Sequence, residues 1–171
     1  SLHKNSSHEI LTVSLHKISD MGTIRVTVKA IDWTQGDVGH VSVALRGGSC
    51  RIDWGDGRTS SIRSRTNDES MIYADHVYPR GCKKSLDIFE ISLTSDNDNL
   101  IGFYSGCIDM EILKLDLKEC PELEKLILSG CVRDVTFRNN PNLKELDING
   151  NDGIDMNFSN NKNLEILKLH S

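Results

Sequence analysis

The groups best able to do chemistry in this chain are carboxylates, imidazoles and thiols, and their spacing restricts what they can do. Asp53 and Asp56 lie three residues apart in the run RIDWGDGR and could offer oxygens to a calcium ion. Ca²⁺ takes six to eight oxygen ligands. No D-x-D-x-D-G loop with a following Glu supplies the others. These carboxylates are therefore expected to bond turn amides, with no metal bound. The six histidines, at 3, 8, 16, 40, 76 and 170, show no H-x-x-x-H spacing, and the five cysteines show no C-x-x-C. A zinc site is not expected, and His76 is read as a hydrogen-bond donor within a folded core. No G-x-S-x-G elbow, Walker loop or G-x-G-x-x-G is present, so the nucleophile and phosphate cradles of the common hydrolases and nucleotide enzymes are missing. The reading is a non-enzyme without cofactor.

Five cysteines leave at least one thiol free or paired outside the chain. Cys50 and Cys82 flank two turn-rich segments, and a disulfide between them would need an oxidising compartment and a fixed Cα separation. Sequence leaves that pairing open. The other three, Cys107, Cys120 and Cys131, fall into a repeat.

That repeat is the pattern apolar-x-apolar-x-x-(Cys or Asn). It recurs as LDLKEC, LILSGC, VTFRNN, LDINGN and MNFSNN, ending at Cys120, Cys131, Asn140, Asn151 and Asn161, with GFYSGC at Cys107 as a degenerate first copy. Successive end positions are 11, 9, 11 and 10 residues apart. Leu123, Leu143 and Leu164 each open an L-x-x-L segment, so one full coil is about 20 residues with two short strands expected in it. No single coil can cover its inward side chains, and stacking makes the core. Asn or Cys at the turn is structural, since either bonds backbone groups of adjacent coils. Outward positions then form two rows: Ile127, Asp147 and Lys168 on one face, and Asp116, Thr136 and Asn157 on the other. Both are candidate contact surfaces. Leu167 and Leu169 would leave an exposed apolar end, to be met by an irregular cap, a dimer contact or further chain.

Residues 9 to 95 read as alternating strands, with candidates Ile10–Leu15, Thr23–Ala30, His40–Leu45, Cys50–Trp54, Met71–Tyr73 and Ser85–Leu93. TIRVTVKA and LDIFEISL show the period of two expected of half-buried antiparallel strands, and no stretch offers an amphipathic helix. Several short strands in under 100 residues suggest a sandwich. Gly55 and Gly57 allow a tight turn around Asp56, and Trp54 is the natural core plug beside it. The expected division is a sandwich over 1–95, with 1–8 as a flexible lead, and repeats over 96–171.

Here the residues resemble known families. The elements Trp54–Gly57 (WGDG) and His76–Gly81, including Tyr78, resemble those of the polycystic-kidney-disease (PKD) type of immunoglobulin-like β-sandwich, with LDIFEISL as closing strand. The repeats resemble leucine-rich repeats, L-x-x-L-x-L-x-x-N/C. A PKD-type sandwich followed by a short leucine-rich-repeat solenoid is similar to surface or secreted proteins of anaerobic gut bacteria. The resemblance implies a mainly β protein that mediates adhesion or protein binding through the repeat surface. It also implies an extracellular or surface-anchored location, with signal or anchor outside this chain. Carbohydrate binding by the sandwich loops around Gly55–Ser60, with Trp54 stacking on a sugar, is one alternative, and a stalk without selective ligand is another.

Charge agrees with a protein or glycan partner. Residues 1–95 carry net +1 and residues 96–171 net −6, within a total of −5. An acidic repeat surface repels a phosphate backbone, so nucleic acid is not an expected partner. No window approaches the 18 or so apolar residues of a membrane helix. Oligomeric state is not encoded in any of these patterns.

Overall fold

A computed structural model describes residues 22–30, 38–65, 69–78, 88–105, 110–130, 132–150, 154 and 156–170. These residues form eleven strands and no helix: β1 (Thr23–Ala30), β2 (Val38–Leu45), β3 (Ser49–Asp53), β4 (Thr59–Arg63), β5 (Met71–Val77), β6 (Ile88–Ser95), β7 (Leu100–Ser105), β8 (Met110–Glu119), β9 (Lys125–Ser129), β10 (Glu145–Asn149) and β11 (Ile166–His170). They make two sheets, in the orders β4-β3-β6-β1-β8 and β11-β10-β9-β7-β2-β5. The protein is mainly β, and its two sheets are consistent with a sandwich.

Alternation places the core. In β1 the β-branched residues Ile24, Val26 and Val28 are buried, while Arg25, Thr27 and Lys29 face outward. Ile91 and Leu93 of β6 lie on the same inner face, and Val41, Val43, Leu126, Leu128, Leu146 and Ile148 line the facing sheet. All belong to one contiguous hydrophobic cluster. Each fully buried aliphatic side chain contributes roughly 1.5–3 kcal/mol relative to exposure.

The first sheet is antiparallel throughout. The second changes character part-way: β5, β2 and β7 are antiparallel, whereas β7, β9, β10 and β11 are parallel. Hydrogen bonding does not break at residue 96. β7 pairs with β2 on one side and β9 on the other, and β8 pairs with β1. Gly102 permits the close approach of β7 to β2, because a Cβ there would lie 2.8 Å from that of Ala44. Ion pairs reinforce the same seam. Arg46 Nη2 lies 2.6 Å from Glu124 Oε1, and Lys144 Nζ lies 2.9 Å from Glu124 Oε2.

Two expectations are corrected. Among the described residues the 20-residue period does not carry a strand on each side: β9, β10 and β11 supply one row, while the opposite row beyond β8 shows the isolated bridges Ile112↔Val132 and Leu115↔Val135 and no further strand. Val135 and Phe137 of RDVTFRNN are buried like the inward residues of β9 and β10, but turn asparagines rather than a lateral ladder bond its backbone. A strand absent from the expected set, β4, pairs with β3 along its length. Its TSSIR sequence carries only Ile62 as an apolar anchor, so alternation is invisible there. Ile10–Leu15 lies outside the described residues.

Candidate binding face

The WGDG turn is a closed structural knot. Trp54 is fully buried and donates from Nε1 to Ser60 Oγ at 2.9 Å. His76 stacks on Trp54 with ring centroids 5.0 Å apart, and meets Tyr78 edge-on at 4.7 Å. Tyr78, also without exposure, donates its hydroxyl to Trp54 O at 3.0 Å. His76 Nε2 and Asp56 Oδ2 lie 2.8 Å apart with side chains only 9% and 5% exposed. Asp56 Oδ1 accepts the Arg58 amide at 3.0 Å, and Asp53 Oδ1 accepts the Gly55 amide at 3.0 Å. Desolvation pushes the Asp56 carboxyl up, but His76 and the Arg58 amide together outweigh it and hold the group below its usual value.

Gly55 (φ 78°) and Gly57 (φ 86°) both occupy the left-handed region, and a Cβ on Gly55 would lie 2.7 Å from Glu90 O. Trp54 cannot stack on a sugar from this position. That overturns the version of carbohydrate binding resting on it. Asp53 and Asp56, the pair weighed for calcium, both bond turn amides, and Asp56 also bonds His76.

The turn positions Cys120, Asn140 and Asn161 stack at intervals of 20 and 21 residues. Cys120 donates from Sγ to Leu100 O at 3.3 Å. Asn140 Nδ2 donates to Leu117 O at 3.0 Å and Cys120 O at 2.8 Å, and Asn161 Nδ2 to Phe137 O at 2.9 Å and Asn140 O at 2.8 Å. The side chain at one turn thus binds the backbone of the turn 20 or 21 residues before it. Burial raises the Cys120 thiol to about 12, and does the same at Cys50. Cys82, Cys107, Cys131 and Asn151 lie outside the described residues, and with Cys82 the question of its pairing to Cys50.

The two outward rows fare differently. Asp116 pairs with Arg25 on the first sheet. Desolvation would raise its carboxyl, but the Lys118 amide at 3.1 Å and ammonium at 3.3 Å lower it on balance. Thr136 is exposed next to it, one residue beyond the Leu115↔Val135 bridge. Asn157 lies outside any strand, its Oδ1 accepting the Ser159 amide at 3.1 Å. These three do not form a regular ladder.

Ile127, Asp147 and Lys168 do: Asp147 pairs with Ile127 on one side and Lys168 on the other. The row continues beyond the repeats. Ile127 pairs with Tyr104, Tyr104 with Ser42 and Ser42 with Tyr73. Six strands at about 4.8 Å spacing make this one line roughly 24 Å long. A groove of about 470 Å³ lies along it. Tyr73 forms one bank, Tyr104 and Ile127 lie between, and Asp147, Asn149 and His170 form the other bank. Tyr73 is 61% exposed, yet its ring packs on His40 with centroids 5.6 Å apart, and His40 in turn bonds Asp75. Asp147 sits 3.7 Å from Lys168 Nζ and 3.5 Å from His170 Nε2.

Tyr73 and Tyr104 escaped the sequence reading because their neighbours come from distant pairings of β2. The available signal was an outward tyrosine in MIYADHV, between positions whose alternates are buried. Among known proteins, no family model, no curated sequence and no solved structure matches this chain.

Proposed function

We propose that this chain is a non-enzymatic binding module of the cell-surface or secreted kind. In this reading a PKD-like sandwich supports a short leucine-rich-repeat stack, and the face of β7, β9, β10 and β11 meets the ligand. The observation that carries it is the groove: Ile127 and Asp147 share a cavity with Tyr104 and with Tyr73, an aromatic side chain from the first half. Its volume falls within the range of about 300–1,000 Å³ typical of ligand sites. The register of Cys120, Asn140 and Asn161 supports the repeat assignment. His76 and Asp56, the pair best suited to acid–base chemistry, are closed on each other and buried, which favours binding over catalysis.

The test compares the chain with two triple alanine variants on glycan and extracellular-matrix protein arrays. Selective binding lost in the Ile127/Asp147/Lys168 variant and kept in the Asp116/Thr136/Asn157 variant supports the reading. The reverse pattern moves the site to the other sheet. No binding by any form supports a stalk.

A further inference from the structure

The groove has a chemistry that narrows its ligand. Its apolar side consists of Tyr73, Tyr104 and Ile127, with the Met71 side chain beside them. Its polar side is built from Asp147, Asn149 and His170, with Ser129 in the same cross-strand row as the last two. An aromatic, partly exposed platform facing a bank of mixed donors and acceptors suits a molecule with both flat C–H faces and many hydroxyls.

Charge argues for a neutral ligand. The Asp147 carboxylate has Lys168 and His170 beside it, and Lys168 Nζ also lies 3.5 Å from Glu145. An anionic ligand would face Asp147 and Glu145, and a cationic one would displace Lys168. Backbone geometry argues against a peptide. Strand addition uses a sheet edge; the edges of this sheet are β5 and β11, and the groove lies across the face between them, where the backbone groups of β2, β7, β9 and β10 bond sideways to neighbouring strands. A peptide main chain laid there would lose its water and find only side chains.

A sugar needs only side chains: hydroxyls exchange with Asp, Asn, Ser and His, and ring C–H groups pack on tyrosine. Ser42, between Tyr73 and Tyr104 in the row, is fully buried and its Oγ has no hydrogen-bond partner among the described residues. The pairing of Tyr73 with His40 fixes the platform before binding, which lowers the entropy lost on association.

We infer that the outer face of the second sheet binds a neutral oligosaccharide, stacked on Tyr73 and held at its hydroxyls by Asp147, Asn149 and His170. The inference rests on the binding-module reading and specifies its ligand class. The probes are soluble hexamers of β-1,4-glucose, β-1,4-xylose, mannose and N-acetylglucosamine, with a random peptide library in parallel. Binding is read by calorimetry and tyrosine fluorescence. At least one saccharide should bind saturably. Tyr73→Ala should raise its Kd tenfold or more, while Tyr73→Phe, which keeps the ring, stays within about threefold. Tyr73 is mostly exposed, so both variants should fold, with circular dichroism as the check. No saccharide binding, or binding indifferent to Tyr73→Ala, overturns the inference. Peptide binding lost in Tyr73→Ala would overturn the sugar while leaving the face as the site. Binding of any probe lost only on changing Asp116 and Thr136 would take down both.

Discussion

Replacing Asn140 tests how the successive turns at Cys120, Asn140 and Asn161 are held together. Asn140 is fully buried, and its amide donates to Leu117 O and Cys120 O. Each carbonyl keeps a second partner, Leu117 O from the Cys120 amide at 3.1 Å and Cys120 O from the Leu123 amide at 3.3 Å. Asn140→Ala therefore strands neither acceptor; it loses two bonds at about 1 kcal/mol each and leaves a small void, offset in part by removal of the buried Oδ1, which has no hydrogen-bond partner among the described residues. The expected loss is about 1–2 kcal/mol, or roughly 2–8 °C in Tm for a chain of this size. Asn140→Cys copies the arrangement at Cys120 and should lose less. Asn140→Asp keeps the shape but turns an acceptor toward two carbonyls. Burial raises the folded pKa of the new carboxyl, so its stability is retained at low pH and lost as pH rises above about 4. The deficit should grow by about 1.4 kcal/mol per pH unit until the folded pKa is reached. Urea unfolding of the series at several pH values, with m held constant, measures this. An alanine variant within 0.5 kcal/mol of the parent, or an aspartate variant as stable as alanine at pH 7, would refute the ladder as a source of stability.

Gly55→Ala should cost at least about 2 kcal/mol, since it combines left-handed strain with a collision against Glu90 O. Gly57→Ala shares the backbone region but meets open space, and should cost only about 1 kcal/mol by the same denaturation assay. Asp56, Asp116, Glu124 and Glu145 all have lowered carboxyl pKa values, the last chiefly through Lys125. Their contribution is present above the unfolded values near 4 and is lost as pH falls through the folded ones. Stability followed by fluorescence should be level down to about pH 4.5 and then drop, and loss already at pH 6 would contradict the assignment. Cys50 and Cys120, with thiols pushed to about 12, should resist an aromatic disulfide reagent in the native chain and react on unfolding. Peptide mapping of the labelled sites checks this.

Local periodicity made most strands legible. TIRVTVKA marks β1 at both ends because its alternation is strict, β2 and β3 followed with shifts of one or two residues, and the described part of Ser85–Leu93 lies within β6. β5 ran four residues beyond the expected Met71–Tyr73, since Asp75 and Val77 alternate with Ala74 and His76 too weakly to stand out. The 20-residue period revealed the Ile127, Asp147 and Lys168 row because each member occupies the same place in one of the parallel strands β9, β10 and β11. What could not be read was the junction. Nothing local in LIGFYS says that β7 lies between β2 and β9, and only that placement brings Tyr104 and Tyr73 into line with Ile127. The opposite row failed for a related reason. Asp116 is shaped by pairing with β1, which its repeat partners Thr136 and Asn157 do not share.

The central claim is that ligand meets the outer face of the second sheet. Two-dimensional NMR of the labelled chain, titrated with the tightest-binding array ligand, tests it most directly. The account predicts shifts clustered on the Ile127 methyl group, the Tyr73 and Tyr104 rings and the Asn149 side chain, with Thr136 and the Gly55–Ser60 turn unmoved. Shifts centred instead on Asp116 and Thr136, or on that turn, would contradict it.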